Sequence, residues 1–248
     1  MASAATPSPA PTGSDNSFGR VFGALFSPKP TFASIAQRPT WIVPVILGCV
    51  VFIAIVFSFT QRGGWVSYIQ KQIAGNSRVQ QLTPEKRDQL VETQAKYAPI
   101  FGYVEGVIIP PLATLLVAAV LLGIFNLSGA TQTTFKIALA IVAFAWSPWL
   151  IHGLLSILII FLKDPSTVDL QNVVASNPGA LLSDDSPKWL SALLGSIDIF
   201  AIWTLFLLAI GFSATNPKKL SIGKAFGLAA IGWAVFIMIK VGLTAAFS

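Results

Sequence analysis

Residues 42–59 read IVPVILGCVVFIAIVFSF. No charge interrupts these eighteen positions, and the single proline, Pro44, falls in the first helical turn, where its missing N–H costs little. A bilayer core is crossed by about 20 mostly apolar residues. A backbone placed there must satisfy its own amides, which for a single segment means a helix. The stretch therefore reads as a membrane span. Four more follow, at about Ile100–Leu127, Phe135–Leu162, Leu190–Phe212 and Ala225–Phe247. The fold class this predicts is all-α: a polytopic membrane protein with five transmembrane helices.

Composition agrees. Only 10% of the 248 residues are charged, against roughly a quarter in a soluble domain. The one cysteine, Cys49, lies inside the first span, so an intramolecular disulfide is excluded. The net charge of +6 is spread over the connections with no aromatic-interleaved basic patch, which argues against nucleic acid as a partner. Residues 1–17 are small, polar and proline-rich with no basic residue. They read as a disordered tail, not a signal peptide. Residues 18–248 form one membrane domain.

The connections differ in kind. Ser128–Thr134 and Ser213–Gly223 are short turns that make antiparallel helix hairpins. The longer Gln61–Pro99 contains Thr83-Pro84-Glu85, a helix-start signature, so a helix is expected from there towards the second span. Lys163–Lys188 reads as a polar loop. Before the first span, Phe18, Val21, Phe22, Leu25 and Phe26 recur at helical spacing on one face. Ser27-Pro28-Lys29-Pro30 is expected to stop that helix and Thr31 to cap a second short one. Both are too short to span and read as interfacial helices, with Phe18, Phe22, Leu25 and Phe26 as the membrane anchor.

Five spans place the termini on opposite sides. Basic residues number seven on the N-terminal side and eight on the other, which decides nothing. The short turns, to which the positive-inside rule gives weight, are basic on the N-terminal side. The expected orientation is a multi-pass protein of the inner (plasma) membrane with a cytoplasmic N-terminus.

The stretch Phe22-Gly23-Ala24-Leu25-Phe26-Ser27-Pro28-Lys29-Pro30-Thr31-Phe32, with Ile35-Ala36-Gln37-Arg38-Pro39 after it, resembles the start of bacterial Yip1-domain proteins. So does Asn126-Leu127-Ser128-Gly129-Ala130-Thr131 running through Phe135 to Ala145-Trp146-Ser147-Pro148. The resemblance covers about residues 18–247. It implies a five-helix fold with a cytoplasmic N-terminus. Eukaryotic members of that family are associated with vesicle trafficking and Rab-type GTPases, while its bacterial members share no established biochemical activity.

Few residues suggest chemistry. No serine elbow, P-loop or dinucleotide fingerprint occurs, and His152 has no metal-ligand partner at ligand spacing. Neither a cofactor, a metal nor an enzymatic activity is expected. Pro110, Pro111 and Pro148 are expected to kink their spans. Asp198 lies roughly 14 Å and Lys240 roughly 12 Å from the outer ends of their spans, at about 1.5 Å per residue. With His152 at similar depth and Glu105 nearer the surface, they suggest an intramembrane polar cluster centred on an Asp198–Lys240 pair. A faint internal parallel sets Ser128-Gly129-Ala130-Thr131-Gln132 against Phe212-Ser213-Ala214-Thr215-Asn216, with Lys136 and Trp146 matching Lys224 and Trp233. The reading favoured is a non-enzymatic scaffold or membrane-organising protein. Its expected partners are the lipid bilayer and other membrane proteins or further copies of itself. The alternative is a small permease or channel-like subunit.

Overall fold

The computed structural model describes residues 16–74, 77–170, 172–183 and 186–247. The tail assigned to residues 1–17 falls almost wholly outside them. In chain order the α-helices are α1 (Ser17–Phe26), α2 (Pro28–Gln37), α3 (Ile42–Gln61), α4 (Trp65–Ala74), α5 (Ser77–Gln80), α6 (Pro84–Leu127), α7 (Phe135–Ala145), α8 (Ser147–Leu162), α9 (Lys188–Leu194), α10 (Ile199–Thr215) and α11 (Ile222–Phe247). Spans one, two and five are α3, α6 and α11, and span three is α7 with α8. The fourth is a bent pair, α9 and α10, meeting at 46°. The fold is an all-α polytopic membrane protein.

α6 runs as one helix of 44 residues through Pro99, Pro110 and Pro111. Pro111 cannot donate to the carbonyl of Val107, four residues back. Cys49 Sγ of α3 approaches that carbonyl at 3.8 Å instead. In the third span the helix does break, at Trp146, and Pro148 sits in the first turn of α8. The carbonyl of Phe144 that Pro148 leaves unpaired accepts from Ser147 Oγ at 2.6 Å.

Two hairpins, α6–α7 and α10–α11, are built alike. Asn126 closes the first turn by accepting from Thr133 N at 3.1 Å and donating to Thr133 O at 3.0 Å. Ser213 Oγ closes the second by donating to Leu220 O at 2.7 Å. Thr134 then caps α7, accepting from Ile137 N, and Ser221 accepts from Lys224 N in the same position before α11. These bonds set the correspondence three residues away from the register that Ser128 and Phe212 suggested in sequence. Phe125 now matches Phe212, and Trp146 still matches Trp233. The two equivalent phenylalanines stack face to face, 4.0 Å between centroids and 2° between planes, fully buried. α7 packs on α10 and α6 on α11, completing a four-helix core.

α1 and α2 form an antiparallel hairpin beside that core. The second helix starts earlier than expected. Ser27 takes the N-cap position, Pro28 and Pro30 fall in the first turn, where their missing N–H groups are not needed, and Thr31 lies inside the helix. Thr31 Oγ1 donates to Ser27 O at 2.8 Å. Arg20, 5% exposed, donates to Arg38 O at 2.9 Å and Ser34 Oγ at 3.0 Å, so its guanidinium pins the open end of the hairpin. Phe32 and Ile35 are fully buried between α7 and α10. One face of α2 is therefore packed into the bundle, while Lys29, Pro30, Ala33 and Gln37 stay exposed on the other.

The contact between α2 and α10 depends on Gly211. A methyl there would lie 2.4 Å from Ile141 Cγ2 and 2.9 Å from Phe32 Cδ1. Overpacking of this kind costs about 1–3 kcal/mol. Gly211→Ala should lower the thermal unfolding midpoint in detergent. Gly227→Ala, with nothing within 4 Å of the added methyl, should leave it unchanged or raise it.

Candidate functional site: the break in the fourth span

The helix from Lys188 stops at Leu194 because the chain turns through Gly195–Ile197 before restarting at Ile199. Asp198 is the N-cap of α10: its Oδ1 accepts from Phe200 N at 2.7 Å. Its Oδ2 accepts from Ser176 Oγ, and Ile199 N donates to Ser176 O at 3.2 Å. A carboxylate at this position satisfies an orphan amide and complements the positive end of the helix. Asp198 is only 5% exposed.

The segment that delivers Ser176 is the stretch read as a plain polar loop. It folds against the break. Ala175 adopts a left-handed φ of 51°, a conformation costing roughly 1–2 kcal/mol for a non-glycine residue. Gly179 lies so close to Gly195 that a methyl on it would come within 2.8 Å of the Gly195 amide nitrogen. Asn177 donates to Asn172 Oδ1 at 3.0 Å, while its own buried Oδ1 has no donor among the described residues. Loop and break together form a polar plug. The signal for it in sequence was Ser196-x-Asp198 opening an apolar run, an N-cap pattern.

The expected Asp198–Lys240 pair is not formed. Lys240 Nζ donates to Ser196 Oγ at 3.1 Å, and Ser196 in turn donates to Ala192 O at 2.7 Å. Lysine thus holds the C-terminal turn of α9, while aspartate holds the N-terminus of α10. Depth explains why no mutual neutralisation is needed. α10 has 17 residues, about 25 Å at 1.5 Å per residue, which brings Asp198 almost a full hydrocarbon thickness from the turn at the other end. By length, the break therefore falls towards the end of the span opposite the Asn216 turn and not at its middle.

His152 stands beside the plug without joining it. Its ring meets Phe200 edge-on at 5.2 Å and Trp149 at 5.1 Å, and Nδ1 lies 3.5 Å from Ser156 Oγ. Glu105 is elsewhere. It is exposed on α6 while its neighbours Gly102 and Gly106 face α3. Its charge is felt at Tyr68 of α4, whose phenol is pushed above its ordinary value first by burial, then by Asp169 and Glu105. Among the described residues no three ligand-type side chains converge on a metal site.

The anchor residues occupy the other end of the bundle. Phe18, Phe22 and Phe26 are 54%, 64% and 76% exposed along one side of α1, and Leu25 is half-buried. Val21 and Ala24 on the opposite side are buried in the core. One face is committed to protein and one to the surroundings.

With that geometry in place, comparison with known proteins is informative. The sequence model of the Yip1 domain matches residues 22–243. The chain belongs to the Yip1 domain family. Among curated proteins, membrane protein YknW of Bacillus subtilis (strain 168) is similar, at 28% identity over 200 residues that cover 79% of this chain and 78% of YknW. No solved structure matches. The matched region of this Yip1-domain chain begins within α1 and ends within α11, so the N-terminal hairpin and the plugged fourth span both belong to the family region.

The hydrogen bonds at the break predict a specific coupling. In a double-mutant cycle in detergent, Lys240→Met and Ser196→Ala should couple by about 0.5–1.5 kcal/mol, the net worth of a hydrogen bond. Lys240→Met and Asp198→Asn should be additive. Asp198→Ala alone should cost about 0.5–2 kcal/mol through loss of the cap.

Proposed function

We propose that this protein is a non-enzymatic scaffold that organises the inner membrane from within, with its N-terminus in the cytoplasm. The observation that carries the reading is the two-sided α1–α2 hairpin. Its inner face is part of the bundle, and its outer face presents Phe18, Phe22 and Phe26. Leaving such side chains in water costs on the order of 1.5–3 kcal/mol each, so the hairpin belongs in lipid. It adds bulk to the leaflet on the N-terminal side alone, which biases bilayer shape and neighbour placement. The interior supports a scaffold as well. Phe125, Phe144, Phe212, Ile141 and Leu207 fill the space between α6, α7 and α10, so the centre of the bundle is apolar.

A transporter is the second reading, and one observation favours it: a broken span with a buried carboxylate at the break, as in transporters whose half-helices bind substrate. Ser176 and Phe200 N already occupy that carboxylate.

The test is purification of the full chain in native nanodiscs. The scaffold reading expects a stoichiometric membrane-protein companion that is lost from Phe22→Asp/Phe26→Asp protein still inserted in the membrane. A chain that comes out alone, or a companion indifferent to those substitutions, contradicts it. Orientation is checked in a Cys49→Ala background. Cysteine at Ser77 should react with an impermeant thiol reagent in intact cells, and cysteine at Lys218 only after lysis. The reverse pattern inverts the topology.

A further inference from the structure

The tip of the hairpin meets α10 at a shallow, open depression lined by Ser27, Pro28, Lys29, Pro30 and Ile210. Two of these residues are prolines without an N–H, and the Thr31 hydroxyl beside them is spent on Ser27 O. The lining is thus an apolar trough with one exposed cation, Lys29, at its rim. Phe26, 76% exposed, stands next to it. The same end of the protein carries Lys136, Lys218, Lys219 and Lys224, all exposed, and its described helices and turns contain no carboxylate.

Resting on the placement of α1–α2 in one leaflet, we propose that this depression binds an anionic phospholipid, with an acyl chain along Pro28 and Ile210 and the phosphate at Lys29. The pairing of trough and cation is complementary to an amphiphile with a negative head. A soluble acidic peptide would leave Phe22 and Phe26 in water. A second copy of the chain would set lysines against lysines across the contact. A leaflet lipid satisfies both requirements, because basic residues at an anionic bilayer surface are attracted to its headgroups while adjacent apolar surface is buried.

Native mass spectrometry of the full chain, released from micelles with equal phosphatidylglycerol and phosphatidylcholine, tests this directly. Wild type should retain phosphatidylglycerol in preference. Lys29→Gln should lower the ratio of the two retained lipids about fivefold, the worth of one basic residue near an anionic leaflet. Lys29→Arg should keep the preference, and Lys71→Gln on the opposite side should leave it untouched. Equal retention by wild type, or an unchanged ratio in Lys29→Gln, overturns the anionic-lipid site and leaves the hairpin's position intact. Phe26→Ser should reduce retention of both lipids. If it reduces neither, the hairpin is not in the leaflet and the proposal falls with that reading. A dimer that disappears in Phe22→Ser would assign the face to a second copy and overturn the proposal.

Discussion

A peptide group in hydrocarbon has no water to turn to, and most of this architecture follows from that constraint. At Pro111, at Pro148 and at the break in the fourth span, a neighbour stands in. The Val107 carbonyl freed by Pro111 has the Cys49 thiol. The Phe144 carbonyl freed by Pro148 has the Ser147 hydroxyl. The widest interruption, between Leu194 and Ile199, recruits a carboxylate, a lysine and a whole loop. The polar groups expected to form a mid-membrane site are the ones that satisfy the broken span near the end opposite the Asn216 turn. Asp198 and Lys240 accordingly serve different helix ends instead of each other.

The same constraint does not act on α1 and α2, which lie beside the spans and not through them. Their position is set by packing. Gly23 lets α1 meet Thr31 of α2 at van der Waals contact, and Gly211 lets Phe32 reach Ile141. The buried Arg20 fixes the open end. The core that receives the hairpin is a pair of similar hairpins joined through the Phe125–Phe212 stack and the Thr131–Thr215 hydroxyl contact at 2.8 Å. An apolar, paired core with an asymmetric wedge on one side is the physical content of the scaffold reading.

Much of this was legible in the sequence. Apolar runs are long enough to define the spans because nothing else accounts for eighteen uncharged residues in a row, and the phenylalanine stripe of α1 is a plain helical period. Four features were not legible in that way. Asp198 sits within a continuous apolar stretch, so hydropathy smooths over the break, and only the local Ser-x-Asp pattern marks it. Glu105 was grouped by depth alone; depth says nothing of the helix face, and the small residues flanking it, Gly102 and Gly106, take the packed side. The loop that plugs the break has no periodicity, and its function depends on a tertiary contact between Gly179 and Gly195. Ser27-Pro28 ends α1 as expected, but serine followed by proline is equally a helix beginning, so α2 starts at Pro28 and not after Thr31.

The central claim is that the N-terminal hairpin is half in protein and half in lipid. Collision measurements on nitroxide labels at Phe18, Phe22, Phe26 and Ala24, in reconstituted Cys49→Ala protein, address it most directly. The account predicts that labels at the three phenylalanines collide with oxygen and not with a water-soluble nickel chelate, and that a label at Ala24 meets neither freely. A label at Phe22 that collides readily with the nickel chelate would place the hairpin in water and contradict the account.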